Sequence, residues 1–284
     1  MPRYPTARLL VCLLTAAAAP GMASDDHPLE LEGEFIQGAL VFGRTQPDAE
    51  VRFAGRDVRV SPSGTFLLGF GRNADRTESL VIEYPDGERR ERTLDVARRD
   101  YDIQHIEGVP QETVTPPESA LEQIRADIRV VSQARQRNDA RTDFLADFEW
   151  PLEGPITGVY GSQRVYNGEP KRPHYGVDIA APGGAVVRAP APGIITVAEA
   201  DMYYSGGTVL LDHGHGLSSS FLHLSELEVE VGDRLEQGDP IGAVGAGGRA
   251  TGTHLDWRIN LFERRLDPTR LVGPMPESAR SGTH

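Results

Sequence analysis

The chain has 284 residues, 39% hydrophobic and 25% charged, which excludes collagen-like, wholly disordered and membrane-embedded architectures and leaves room for about two domains. Lys and Arg number 29 against 42 Asp and Glu, and a formal charge of −13 excludes recruitment by nucleic acid or anionic lipid through the net field. The one cysteine, Cys12, lies near the N-terminus, so the rest of the chain has no disulfide frame, no thiol nucleophile and no cysteine-rich zinc site.

Arg3 and Arg8 precede an apolar run at residues 9–19, and Pro20-Gly21-Met22-Ala23 follows. A basic start, a short apolar run and small residues before a cut after Ala23 make residues 1–23 a signal peptide. The run is too short for a bilayer, which needs about 20 helical residues. The protein is therefore expected to be exported, to the periplasm or the extracellular space, with no transmembrane segment.

Residues 29–107 read as short strands at 35–42, 49–53, 58–60, 65–70, 80–84 and 89–96, broken by turn signals. Pro85-Asp86-Gly87 is one such turn, with Pro presetting φ and Gly tolerating positive φ. The pattern predicts a small Ig-like β-sandwich, similar in pattern to accessory modules of secreted bacterial proteins. It carries no constellation of reactive residues, so its expected role is spacing or docking.

Residues 108–147 read as a linker containing one amphipathic helix. Thr115 as cap, Pro116 at the first helical position and Glu118 make a capping box. Leu121, Ile124, Ile128 and Val131 then recur along one face. The helix is a connector packed on one domain and, by adjacency, a candidate cover for a groove.

From about residue 148 Gly and Pro punctuate β-branched runs such as 193–197, 207–211 and 241–245. Residues 148–275 are expected to form a second compact β-domain, followed by a flexible tail at 276–284. The fold class is all-β, and a monomer is expected.

Three fragments of this second domain carry chemistry. His174 and Asp178 are four apart in a β-branched, Gly-containing stretch, an even spacing that puts both on one side of a strand. His254 and Asp256 share a strand face while Leu255 and Trp257 take the other, and His223 stands alone in a third candidate strand. Together they offer imidazole and carboxylate donors suited to zinc, plus two further imidazoles for proton handling. His213-Gly214-His215 has the look of a metal pair but is read as structural. Tyr166, Tyr203 and Tyr204 either line a groove or pack. Arg258 stands where it could pair with Asp256.

Residues 151–161 with Arg164, 174–182, 207–213, 222–225, 231–242 and 251–255 run in an order that, across about 120 residues, resembles the lysostaphin-type (LytM-like) zinc metallopeptidases. The resemblance implies a metal groove and hydrolysis of peptide bonds in bacterial peptidoglycan. It implies one Zn2+ per chain, another divalent metal being an alternative, bound by His174, Asp178 and the residue at 256. It also implies catalytic roles for His223 and His254. The family ends in His-x-His, and here the second histidine is Asp256. A carboxylate is an acceptable zinc donor, but two of them cancel the dication's charge and predict a slower enzyme. The alternative is a catalytically inactive member that binds the wall or activates another wall hydrolase.

Overall fold

A computed structural model describes residues 27–107 and 116–276. The expected signal peptide at 1–23, Thr115 and all of the tail except Pro276 fall outside the described residues.

Alternating apolar residues build seven strands in two antiparallel sheets in the N-terminal region. One orders β1 (Glu30–Glu32), β2 (Leu40–Arg44) and β5 (Thr65–Gly69). The other orders β4 (Arg56–Val58), β3 (Glu50–Phe53), β6 (Thr77–Glu83) and β7 (Arg89–Asp95). Between the sheets lie Val41, Phe66, Leu68, Val51, Phe53, Leu80 and Ile82, each large apolar side chain worth roughly 2 kcal/mol of burial. Leu40 and Leu67 alternate to the opposite face of their sheet and join the core of the second region instead. That is why β5 is buried along its whole length.

Two details differ from the pattern reading. The strand expected at 35–42 begins only at Leu40, because Gly38 takes a φ of 91° and Ile36 makes a single bridge to Ala97. The third strand turns at once into β4 through Ala54 and Gly55, both at positive φ, a two-residue hairpin the sequence did not advertise.

β8 (Ile103–Ile106) leaves the sandwich and pairs in parallel with β10 (Gln163–Tyr166), which also pairs with β11 (Glu169–Pro170). The helix does not start at Pro116. A 3-10 turn at Glu118–Ala120 leads into α1 (Leu121–Ala134), with no side-chain cap among the described residues. Ile124 is buried, and Val131 and Ala134 pack on Val197, Met202 and Leu210, but Ile128 is exposed. The buried face is shifted from the expected stripe toward Ala134.

The second region is one ten-stranded sheet. Its main order is β17 (Arg234–Leu235), β14 (Gly193–Met202), β15 (Gly206–Gly214), β16 (Leu217–Leu227), β19 (His254–Leu261), β12 (Val177–Ala180) and β9 (Ile156–Gly158). β13 (Val186–Arg188), β18 (Pro240–Val244) and β20 (Arg264–Leu266) attach beside it. Trp257, Leu255, Ile259, Ile179 and Phe221 fill the core. Residues between them on the same strands therefore emerge on the opposite face, and these are Asp178, Asp256, Arg258 and Ser220. No helix among the described residues is long and apolar enough to cross a membrane.

Candidate active site

All five expected site residues meet on this face. Asp178 lies directly opposite Asp256, and Ala180 opposite His254, in the β12–β19 register. His254 and Asp256 do share a strand face, with Leu255 and Trp257 behind them in the core. His174 does not share a strand with Asp178, because β12 opens only at Val177. It sits in the preceding loop, pinned at both ends: its N–H donates to the Ser162 carbonyl (2.8 Å), and its carbonyl accepts from the Gly161 N–H (2.8 Å). From there its Nε2 comes within 3.2 Å of Asp178 Oδ1, and His254 Nε2 lies 3.7 Å from the same oxygen.

His223 arrives through a bulge. Phe221 pairs with Val209 and Leu224 with Gly207, so Leu222 and His223 together oppose Thr208. His223 takes a φ of 68°, a conformation that costs a non-glycine residue about 1–3 kcal/mol and that clusters at functional sites. The bulge aims its ring at His254, with centroids 4.8 Å apart. His223 Nδ1 lies 2.9 Å from the Gly247 carbonyl, and His254 Nδ1 lies 2.9 Å from that of Gly252. A carbonyl only accepts, so each Nδ1 carries the proton and each Nε2 is left free.

His174, Asp178 and Asp256 each offer one ligand atom within 4.8 Å of the others. His174 Nε2 and Asp178 Oδ1 are shielded from water, and neither has a partner outside this cluster of histidines and carboxylates. Once the imidazole is neutral the two are Lewis bases facing one another, with Asp256 beside them, and such a set fits a cation.

Residues 172–268 match Peptidase family M23. They form an M23 peptidase domain. A crystal structure of a putative M23 peptidase from Pseudomonas aeruginosa is similar at a TM-score of 0.68 and 25% identity, covering 84% of this chain and 96% of that one. The likeness thus extends across the N-terminal strands. The DD-carboxypeptidase/endopeptidase Mpg of Neisseria meningitidis is 37% identical over 106 residues, 37% of this chain and 24% of that protein. The peptidoglycan DD-endopeptidase ShyA of Vibrio cholerae is 32% identical over 106 residues, with the same two shares. The chain spans about a quarter of the length of these two relatives.

Within the M23 domain the departure at Asp256 has a partner. Arg258 Nε lies 2.9 Å from Asp256 Oδ1 and 3.1 Å from Oδ2, and its Nη2 closes on Oδ2. Burial alone would raise the Asp256 carboxyl, but the Arg258 guanidinium wins and holds it below the usual carboxylate range. Burial opposes protonation of His174 too, yet the Asp178 and Asp256 carboxylates raise it. At His223 burial prevails and lowers the imidazole.

Two glycines are part of the cradle. A Cβ at Gly158 would lie 2.1 Å from Asp178 Oδ2, and one at Gly176 would lie 2.4 Å from Asp256 Oδ1. Neither was singled out by sequence reasoning, and the glycine itself is the only local signal. His213 and His215 stay outside the site. His213 Nδ1 meets the Pro192 carbonyl (2.7 Å) and Nε2 meets Ser219 Oγ (2.8 Å), while His215 stacks near Phe144. Tyr203 and Tyr204 pack edge-on to each other at 4.9 Å, with Tyr204 40% exposed, and the Tyr203 N–H is held by Asp127 of α1.

Proposed function

We propose that this chain is an exported, zinc-dependent endopeptidase that hydrolyses peptide bonds in bacterial peptidoglycan. The observation that carries the reading is the cluster of His174, Asp178 and Asp256, whose ligand atoms lie within 4.8 Å of one another, with two further histidines of fixed tautomer beside it. The M23 match, one relative named as a DD-carboxypeptidase/endopeptidase and another named as a peptidoglycan DD-endopeptidase support it.

His174, Asp178 and Asp256 would hold one zinc ion, which supplies Lewis-acid polarisation of the scissile carbonyl and a more acidic water. His223 keeps a free, neutral Nε2 because burial disfavours its cation, and so serves as a general base. His254 has its Nδ1 committed to Gly252, and its Nε2 faces the same space as a proton carrier or, once protonated, an oxyanion donor.

The Asp256–Arg258 pair favours the inactive reading at first sight, since the carboxylate already has a partner. An ionised carboxylate has about four lone-pair positions, however, and a guanidinium fork does not fill them all. The pair is neutral overall, as is the imidazole it replaces. The ligand set with Arg258 included therefore carries one net negative charge, and the slowing expected from two carboxylates is offset.

The N-terminal sandwich braces this site. Arg72 Nε donates to the Gly161 carbonyl (2.8 Å), and the Gly161 N–H in turn holds His174. Arg99 Nη1 pairs with Asp267 Oδ2 at 2.7 Å, and Arg264 Nη1 donates to the Gly69 carbonyl at 2.6 Å. Its outer sheet is left to dock on the wall, a wall hydrolase or an envelope protein. Removal of residues 1–23 on export would leave a periplasmic monomer.

The test is metal analysis of the purified chain beside chromatography of muropeptides after digestion. One equivalent of zinc, and new peptide ends that vanish in His174→Ala, are expected. A chain that binds no zinc in excess metal and releases no product, yet changes the rate of a second wall hydrolase, would establish the inactive reading instead.

A further inference from the structure

Beside the cation site the same sheet face carries positive charge without matching acid. Arg135, at the end of α1, is 7% exposed; its Nε has no hydrogen-bond partner, and its Nη2 reaches only Ser220 Oγ at 3.4 Å. Arg265 Nη1 reaches only a neutral oxygen, Asn260 Oδ1, at 3.4 Å. Arg172 is exposed, and its Cζ lies 5.5 Å from the Tyr175 ring centroid, with Arg265 Cζ at 5.7 Å from the same ring. Arg258, on the strand between, is spent on Asp256. Among the described residues none of Arg135, Arg172 and Arg265 is in an ion pair, and the acid that faces them, Glu263, is exposed and tied to Gln136 Nε2 at 3.1 Å.

A buried guanidinium without a counter-ion is costly, by several kcal/mol before relaxation. Burial, with Arg265 and Arg258 nearby, pushes Arg135 down to about 8. An arginine keeps its proton in proteins, so the strain stays as uncompensated positive potential. The planar forks of these side chains match a carboxylate, which accepts two parallel N–H bonds.

The position narrows the ligand. Tyr175 follows His174 in the chain, and Arg258 lies two residues along the strand from Asp256. Ser220, which Arg135 touches, is opposite Arg258 in the β16–β19 register. An anion held here would lie directly beside whatever peptide bond occupies the cation site.

We propose that Arg135, Arg172 and Arg265 form a carboxylate-binding subsite that takes a free carboxylate of the substrate peptide next to the bond to be cut. Only the identity of the ligand rests on the peptidase reading; the anion site itself does not. The enzyme would then select peptides bearing that carboxylate over otherwise identical neutral ones.

The experiment titrates the EDTA-treated full chain with acetyl-D-alanyl-D-alanine and, separately, its C-terminal amide, by calorimetry. Chelation removes direct coordination of the carboxylate as a cause of any difference. The acid is expected to bind at least about tenfold more tightly than the amide. Arg265→Gln and Arg172→Gln should each bring that ratio below about threefold, with Arg265→Lys intermediate. Arg172 is exposed, so its variant reads the charge without threatening the fold. Equal affinities, no binding of the acid, or a ratio unchanged in both glutamine variants would overturn the subsite. If the ratio behaves as expected but zinc-loaded protein cleaves no muropeptide, the peptidase reading fails and the subsite stands. Cleavage without discrimination between acid and amide removes the subsite and leaves the peptidase standing.

Discussion

Two places in the described residues bring one histidine and two carboxylates within 4.8 Å: His27, Asp86 and Glu88 on the sandwich, and His174, Asp178 and Asp256 in the M23 domain. Donor types and spacing are the same, yet the physics differs. On the sandwich His27 Nε2 bonds Asp86 Oδ2 at 2.9 Å, the Glu88 N–H bonds Asp86 Oδ1 at 3.0 Å, and Arg90 Nε bonds Glu88 Oε1 at 2.6 Å. Both acids are exposed, so water competes as well. In the M23 domain Asp178 and Asp256 are 24% and 3% exposed, His174 Nε2 and His254 Nε2 both approach Asp178 Oδ1, at 3.2 and 3.7 Å, and His223 packs against His254. Carboxylates withdrawn from solvent and faced by more than one imidazole, rather than donor composition, mark the cation site.

The sharpest way to break that comparison is to remove one ligand from each cluster. Asp178→Asn should abolish stoichiometric zinc and lower peptidoglycan cleavage by about a thousandfold or more, since both the Lewis acid and its activated water go with it. Asp86→Asn should leave zinc content and cleavage unchanged. Metal analysis beside a digestion assay reads both, and retained zinc in the Asp178 variant would remove the basis of the assignment.

Next in size are the two spare histidines, which have no counterpart near His27. His223→Ala and His254→Ala should each lower kcat by about a hundred- to a thousandfold while zinc content stays at one equivalent. Loss of zinc together with activity would instead place the mutated histidine among the ligands.

A smaller effect is expected through the sandwich. Arg72→Ala removes the bond to the Gly161 carbonyl, which supports the loop that pins His174. Partners of metal ligands typically change affinity by about ten- to a hundredfold. Zinc affinity measured by competition with a chelator should weaken in that range, with recovery in Arg72→Lys only partial because Lys lacks the fork. An unchanged affinity would reduce the sandwich to a passive spacer.

Much of this is legible in the amino-acid sequence alone, for identifiable physical reasons. Alternation placed His254 and Asp256 on one face because Leu255 and Trp257 must be buried, and period two in a strand leaves no other option. The same rule failed for His174, where Gly176 and Pro173 end the strand early and backbone hydrogen bonds to the Ser162 carbonyl and from the Gly161 N–H, distant from any periodicity, set the loop. The all-β architecture and the linker helix followed from pattern, but the face of α1 did not. Its packing was decided by Val197, Met202 and Leu210, more than sixty residues away in sequence. Arg135 and Arg265 looked like ordinary surface charge for the same reason. Only tertiary contacts reveal that a helix end and two strands gather them where no acid follows.

The mildest test asks whether burial alone separates a structural histidine from the site ones. His213 donates Nδ1–H to the Pro192 carbonyl and accepts from Ser219, and burial pushes it down to about 4. The unfolded imidazole titrates near 6.5. Between those values the unfolded chain binds more protons than the folded one, so stability rises with pH across this window. It is complete above about 6.5 and is lost as pH falls toward 4, by about 3 kcal/mol. His215, also lowered to about 4 by burial, adds to the same slope. Denaturant midpoints measured from pH 4 to 7.5 should fall toward acid in the parent and fall less steeply in His213→Gln, whatever the variant's absolute stability. Parallel curves would mean that the fold admits a charged imidazole there, and burial would then no longer distinguish His213 from the histidines that face Asp178.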